Sequence, residues 1–139
     1  MITLDQAKVM IDVARKTGRE MGLKPLSIVV LDAGGHLLAF EREDGASPGR
    51  FEIARGKAYG AVMLGMPGSA QMARAEGQAY FMAAVNGAFG GKVVPVPGGV
   101  LVMQGDAVVG AVGVTGDTSD NDAAAAVAGI EAAGFAAKA

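Results

Sequence analysis

Two side chains stand out by type and setting as able to do chemistry: His36, the sole histidine, and Lys57. An imidazole changes charge near neutral pH, so His36 can serve as an acid or base, and it can also ligate haem iron. It follows the turn sequence Asp32-Ala33-Gly34-Gly35, which places it at the start of a strand and at the rim of a sheet. The plainer alternative is a turn histidine satisfied by local hydrogen bonds. Lys57 lies in a helical pattern, where its neighbours at i−4, i+3, i+4 and i+7 are Ile53, Gly60, Ala61 and Leu64. A cation within such an apolar stripe can hold a carboxylate or a haem propionate. If desolvated, it gains a lowered pKa and can act as a base or nucleophile. Its alternative is snorkelling, with the stem on the core and the ammonium at the rim. Tyr59, Met63 and Met103 are also possible iron ligands, but eight methionines in an aliphatic chain read first as core filler.

Two glycine-rich stretches add backbone chemistry. In Pro97-Gly98-Gly99 the missing side chains let the main chain approach a ligand, or simply make a turn before a strand. Gly113-Val114-Thr115-Gly116 ends a strand just before a helix, where free N–H groups can hold an anion. Asp117, Asp120 and Asp122 oppose a phosphate there and suit helix capping and dipole pairing instead. No Gly-Lys-Ser follows, as a P-loop requires. Counted from Asp117, an EF-hand would need glycine at Asp122 and glutamate at Ala128. One histidine and no cysteine leave no closed transition-metal site within one subunit, no disulfide and no cysteine nucleophile. The acidic and basic run Glu41-Arg42-Glu43-Asp44 can line a pocket mouth or form a solvated edge, and reads first as the edge.

These residues need a scaffold, and the hydrophobic periodicity outlines one. Leu4, Ala7, Ile11, Ala14, Gly18 and Met21 recur at helical spacing, opened by a Thr3/Gln6 capping box and closed by Gly22 and Pro25. Leu26 to Leu31 and His36 to Arg42 form a hairpin around the paired glycines. Ser47-Pro48 has the pattern of an N-cap followed by proline at the first helical position, with a helix from about Gly49 to Leu64. Ser69 to Asn86 suits one or two short helices, and 87–99 a loop with a short extended piece at Val93-Val94. Val100 to Met103 and Ala107 to Val114 are strands about a tight turn. A last helix starts at Thr118 or Ser119 and stops near Ala133, before Gly134. Hairpin-linked strands with helices before, between and after them imply an α+β fold with an antiparallel sheet, not a Rossmann sheet.

Composition narrows the class further. The 139 residues suit one domain, 1–139, without linker or internal repeat. Net charge is −2 with scattered basic residues and 5% aromatics, which argues against nucleic acid. No run of eighteen apolar residues and no signal-peptide layout occur, so no membrane association is expected and the cytoplasm is the default location. Charged residues are only 19% against 51% hydrophobic, a balance that hints at subunit burial.

Two stretches taken together carry a resemblance. The first is Val30-Leu31-Asp32-Ala33-Gly34-Gly35-His36-Leu37-Leu38-Ala39-Phe40-Glu41-Arg42 followed by Ala54-Arg55-Gly56-Lys57-Ala58. The second is Pro97-Gly98-Gly99-Val100, Gly105, Gly110-Ala111-Val112-Gly113-Val114-Thr115-Gly116 and Asp122. In this order they resemble the GlcG/HbpS-like family, whose members include proteins described as haem-binding or haem-degrading; a similar module ends some cobalamin adenosyltransferases. The resemblance implies a profilin-like, five-stranded antiparallel sheet flanked by helices, and homodimers that can build octamers. It implies haem as a cofactor, although a single histidine departs from the histidine-rich haem binders of the family.

Two functions follow as expectations. One is an oligomeric binding protein whose pocket for a small anionic or planar ligand such as haem draws on His36, Lys57, Gly98, Gly99, Thr115 and Gly116. The other is a cofactor-free isomerase, lyase or hydrolase acting on a small carboxylate, with Lys57 or His36 as base and backbone N–H groups near Gly98 or Gly116 holding an oxyanion. A structural or accessory oligomer is the remaining possibility.

Overall fold

The computed structural model describes residues 1–139. Five strands form one antiparallel sheet in the order β2-β1-β4-β3-β5: β1 Ser27–Asp32, β2 Leu37–Arg42, β3 Gly99–Gln104, β4 Ala107–Thr115 and β5 Ala136–Lys138. The helices are α1 Leu4–Glu20, α2 Arg50–Leu64, α3 Gly68–Gly77, α4 Ala79–Ala88 and α5 Ser119–Ala132. The expected α+β class and five-stranded antiparallel sheet are both present.

Side-chain alternation along the strands divides the core in two. Ile28, Val30, Val112, Val114, Val100 and Val102 pack with Met10, Ile11 and Ala14 of α1 and Ala125, Ala126 and Ile130 of α5. Val29, Leu31, Leu101 and Ala111 face the other way, onto Ala54, Ala58 and Ala61 of α2. The small residues of α2 let it sit almost on the sheet. A Cβ at Gly113 would fall 2.0 Å from the Ala54 carbonyl oxygen, and one at Gly99 would fall 2.2 Å from that of Lys57. Both glycines are therefore fixed by helix–sheet approach.

Local signals were realised unevenly. The Thr3/Gln6 capping box forms reciprocally, and Gly22 takes the left-handed conformation that ends α1. Thr118 caps α5 by accepting from the Asn121 N–H. The Ser47-Pro48 expectation needs correction. α2 begins at Arg50 behind Gly49, without a side-chain cap, and Ser47 Oγ accepts from Arg50 Nε instead. Ser69 to Asn86 resolves into α3 and α4. Val93-Val94 makes no strand; the Val94 N–H donates to the Gly56 carbonyl and ties the loop to α2. Beyond Gly134 the chain adds β5 to the edge of β3, an element that residue pattern alone had not indicated. No helix is long and apolar enough to cross a membrane.

Candidate functional site

The sequence candidates separate to opposite ends of the sheet. Thr115 pairs with Ser27 at the start of β1, whereas His36 lies beyond Asp32 at its end. Five strand rises of ~3.3 Å put about 17 Å between those ends. Lys57, Gly98, Gly99, Thr115 and Gly116 thus gather at one end, and His36 stands alone among them at the other.

At the first end the polar groups satisfy one another. Lys57 is almost wholly buried, with Nζ donating to the Val114 carbonyl at 3.0 Å and to Asp122 Oδ2 at 3.2 Å. Burial pushes its pKa down, the Asp122 charge and hydrogen bond pull it up, and Arg50 pushes it down; the net direction is down. Asp122 is itself buried, and its other oxygen accepts from the Asp117 N–H. The Lys57 ammonium therefore does not snorkel; it links α2, β4 and α5 through the core. Gly98 lies against it, since a Cβ there would stand 2.9 Å from Lys57 Nζ. Gly116 allows the close passage of the Pro25 carbonyl, 2.2 Å from where its Cβ would be.

At the other end a cleft of about 440 Å³ opens between the β1–β2 turn and α2. Gly35, His36 and Leu37 form one wall; Phe51, Arg55, Tyr59 and Met63 form the other, with Lys92 at the side. The His36 side chain is 81% exposed, and its Nδ1 lies 3.3 Å from Asp32 Oδ1. That carboxylate also accepts the backbone N–H groups of Gly34 and His36, each at 2.9 Å. The His36 N–H is the main cause holding the Asp32 pKa below the usual carboxylate range, against the opposing effect of burial. Asp32 thus lies beside Nδ1 at ion-pair distance, and Nε2 has no protein partner. A carboxylate on the second nitrogen is how metal-ligating imidazoles are commonly fixed.

Arg55 and Lys92 form no ion pair with any carboxylate. Lys92 Nζ lies 5.7 Å from the centre of the Tyr59 ring, which in turn meets Phe89 edge-on at 6.0 Å. His36 also borders a second, more apolar cleft of about 570 Å³ that includes Ile2, Leu38 and Val109. The imidazole therefore stands on a ridge between an aromatic, cationic hollow and an apolar one.

The family model described as haem degrading protein HbpS-like matches residues 2–131. The chain belongs to the HbpS-like family. Among solved structures, HbpS is 30% identical, with a TM-score of 0.79 over 93% of this chain and 87% of that one. Protein ORFY of Klebsiella pneumoniae is 27% identical, with a TM-score of 0.85 over 95% of this chain and 90% of that one. PduOC, solved as a complex with haem, shares the fold at 20% identity, with a TM-score of 0.87 over 99% of this chain and 98% of that one. No curated protein gives a significant sequence match.

Phe51 and Lys92 of this HbpS-like cleft escape a reading by motif. Phe51, Arg55, Tyr59 and Met63 are spaced by four along α2, and that spacing in the sequence was the signal for a common face. Lys92 arrives from an irregular loop and carried no such signal. Asp122 was visible as a helix-terminal acid and in the resemblance but not as the partner of Lys57, because the burial that pairs them is set by tertiary packing.

Proposed function

We propose that this HbpS-like protein binds a planar, anionic small molecule, haem in particular, against His36 at the cleft between the β1–β2 turn and α2. The observation that carries the reading is the exposed imidazole with Asp32 beside its Nδ1 and its other nitrogen unpartnered. The surroundings fit haem. His36 Nε2 would take the iron, Arg55 and Lys92 would pair the propionates, and Phe51 and Tyr59 would cover a ring face. Bound haem would supply one-electron or oxygen chemistry, and the residues named here bind and orient it. The family description as haem-degrading supports the same ligand. In this reading the Lys57 end is framework and the His36 end is the site.

We infer further that the working form is a homo-oligomer. α4 has no charged residue, and it leaves Tyr80 74% and Phe81 37% exposed. Large apolar surface of this kind favours association.

The test is a haemin titration of the purified apo protein followed by absorbance, with His36→Ala and Arg55→Gln/Lys92→Gln alongside. The expected result is a saturable Soret shift at fixed stoichiometry, lost in His36→Ala and at least tenfold weaker in the double variant. A weak, unsaturable rise of equal size in all three proteins would mean nonspecific adhesion and end the proposal.

A further inference from the structure

A second cationic cluster lies at the opposite end of the sheet from His36. Ser27 is the direct cross-strand partner of both Arg42 on β2 and Thr115 on β4, so the three side chains share one face. That face is the one under α2, because Ser27 alternates with Val29 and Leu31, both packed on α2. Thr115 Oγ1 accepts from Arg50 Nη1 at 2.9 Å, which places the first residue of α2 over this row.

Three features of the cluster are unsatisfied. Arg42 and Arg50 form no ion pair with any carboxylate. The start of α2 has no side-chain cap, so its first N–H groups find no side-chain acceptor. The Ser27 hydroxyl is fully buried on the same face and has no hydrogen-bond partner. A buried orphan hydroxyl is unfavourable unless something completes it. An uncapped helix start, two guanidinium groups without a carboxylate partner and an orphan hydroxyl ask for the same complement, an oxyanion.

We propose that the N-terminus of α2, with Arg42, Arg50, Ser27 and Thr115, binds a small oxyanion: a phosphate or carboxylate group, free or carried on a larger molecule. Arg50 gives up Thr115 and turns its fork to the anion, Arg42 closes from the strand edge, and the freed hydroxyls point up from the sheet. The acidic Glu52 in the first turn of α2 weakens the site but stands two residues from Arg50, off its side of the helix.

The experiment follows backbone amide shifts by NMR in the full chain at constant ionic strength, titrating inorganic phosphate in one arm and acetate in the other. Saturable shifts at residues 50–53 and 115 are expected. They should weaken at least tenfold in Arg50→Gln, and several-fold in Ser27→Ala without loss of Tm. The arm that saturates at lower concentration tells phosphate from carboxylate. Arg42→Gln alters an exposed side chain, so the test remains available if Arg50→Gln fails to fold. The proposal is overturned if the shifts stay linear to the end of both titrations. It is equally overturned if they spread over all basic surface residues, or persist unchanged in Arg50→Gln and Arg42→Gln. Phe51 borders both sites, but His36 belongs only to the haem cleft and Thr115 only to this one, so His36→Ala in one titration and the Thr115 shift in the other keep the two results apart.

Discussion

Lys57 illustrates what a buried charge does in a small core. Its desolvation outweighs the pull of Asp122, as the net downward direction of its pKa records. Such a pair holds position more than it adds stability, since replacing both charges by apolar groups is often neutral or favourable. Removing one partner is different, because the other charge stays buried. Lys57→Met should therefore cost on the order of 3–5 kcal/mol in urea unfolding, whereas Lys57→Met/Asp122→Leu should recover most of that loss. If the two substitutions instead add, the residues are not energetically coupled. The apolar surroundings of Lys57 were legible in Ile53, Gly60, Ala61 and Leu64. Its partner 65 residues away was not, because no local pattern links α2 to α5. His36 is the reverse case: the turn, the strand start and the nearby Asp32 are all local, so its place at the rim could be read directly.

At the scale of elements, the contact between α2 and the sheet sets the tolerance of the molecule. An added methyl at Gly113 would meet the Ala54 carbonyl at 2.0 Å and the Ala58 Cβ at 3.1 Å, and both belong to a helix with no room to retreat. Gly113→Ala should lower stability by about 3 kcal/mol or more through overpacking. Gly87→Ala is the matched control. It lies in α4 with nothing within 4 Å, and a helical alanine there should raise stability by about 0.5–1 kcal/mol. Thermal melts of the two variants should move in opposite directions; equal shifts would refute the close approach of α2. The same distinction explains which elements were legible. α1 announces itself by a capping box and a clean apolar face, both encoded within 20 residues. β5 is the short Ala136-Ala137-Lys138, with little strand propensity of its own; it exists because β3 offers an unpaired edge. Ser47-Pro48 misled because Ser47 spends its hydroxyl on the Arg50 side chain instead of a helix N–H.

Across the whole molecule, the carboxylates that tie distant segments together set the response to acid. Glu43 corrects the expectation of a solvated edge: it is buried because the Leu26 N–H, Arg15 and Arg19 satisfy it. Burial raises its pKa, but the Leu26 N–H, Arg19 and Arg15 outweigh that and hold it below the usual range. Asp117 is held down to about 2, chiefly by the Asn121 side chain and then by the Lys24 N–H. A carboxyl with a lowered folded pKa contributes stability that is complete above its unfolded value and lost as pH falls through the folded one. Stability should therefore hold at neutral pH and decline from about pH 4 downwards, the range of unfolded carboxylates. Glu43→Gln should lower stability at pH 7 and flatten the acid limb, because Glu43 joins α1 to the end of β2 through Arg15 and Arg19. An unchanged pH profile in that variant would remove Glu43 from the linkage. The remaining whole-molecule property is association. α4 packs mainly on α3, and it buries only Met82 while Tyr80 and Phe81 face outwards. If this face joins subunits, Phe81→Glu should shift the protein to monomer in sedimentation velocity without changing its unfolding midpoint at low concentration. Phe89, just beyond α4, packs on Tyr59 of the His36 cleft, so the same variant should also weaken haemin binding if assembly supports that wall. An assembly that survives Phe81→Glu places the subunit contact on another face, and unchanged haemin affinity in a monomer makes the His36 cleft complete within one chain.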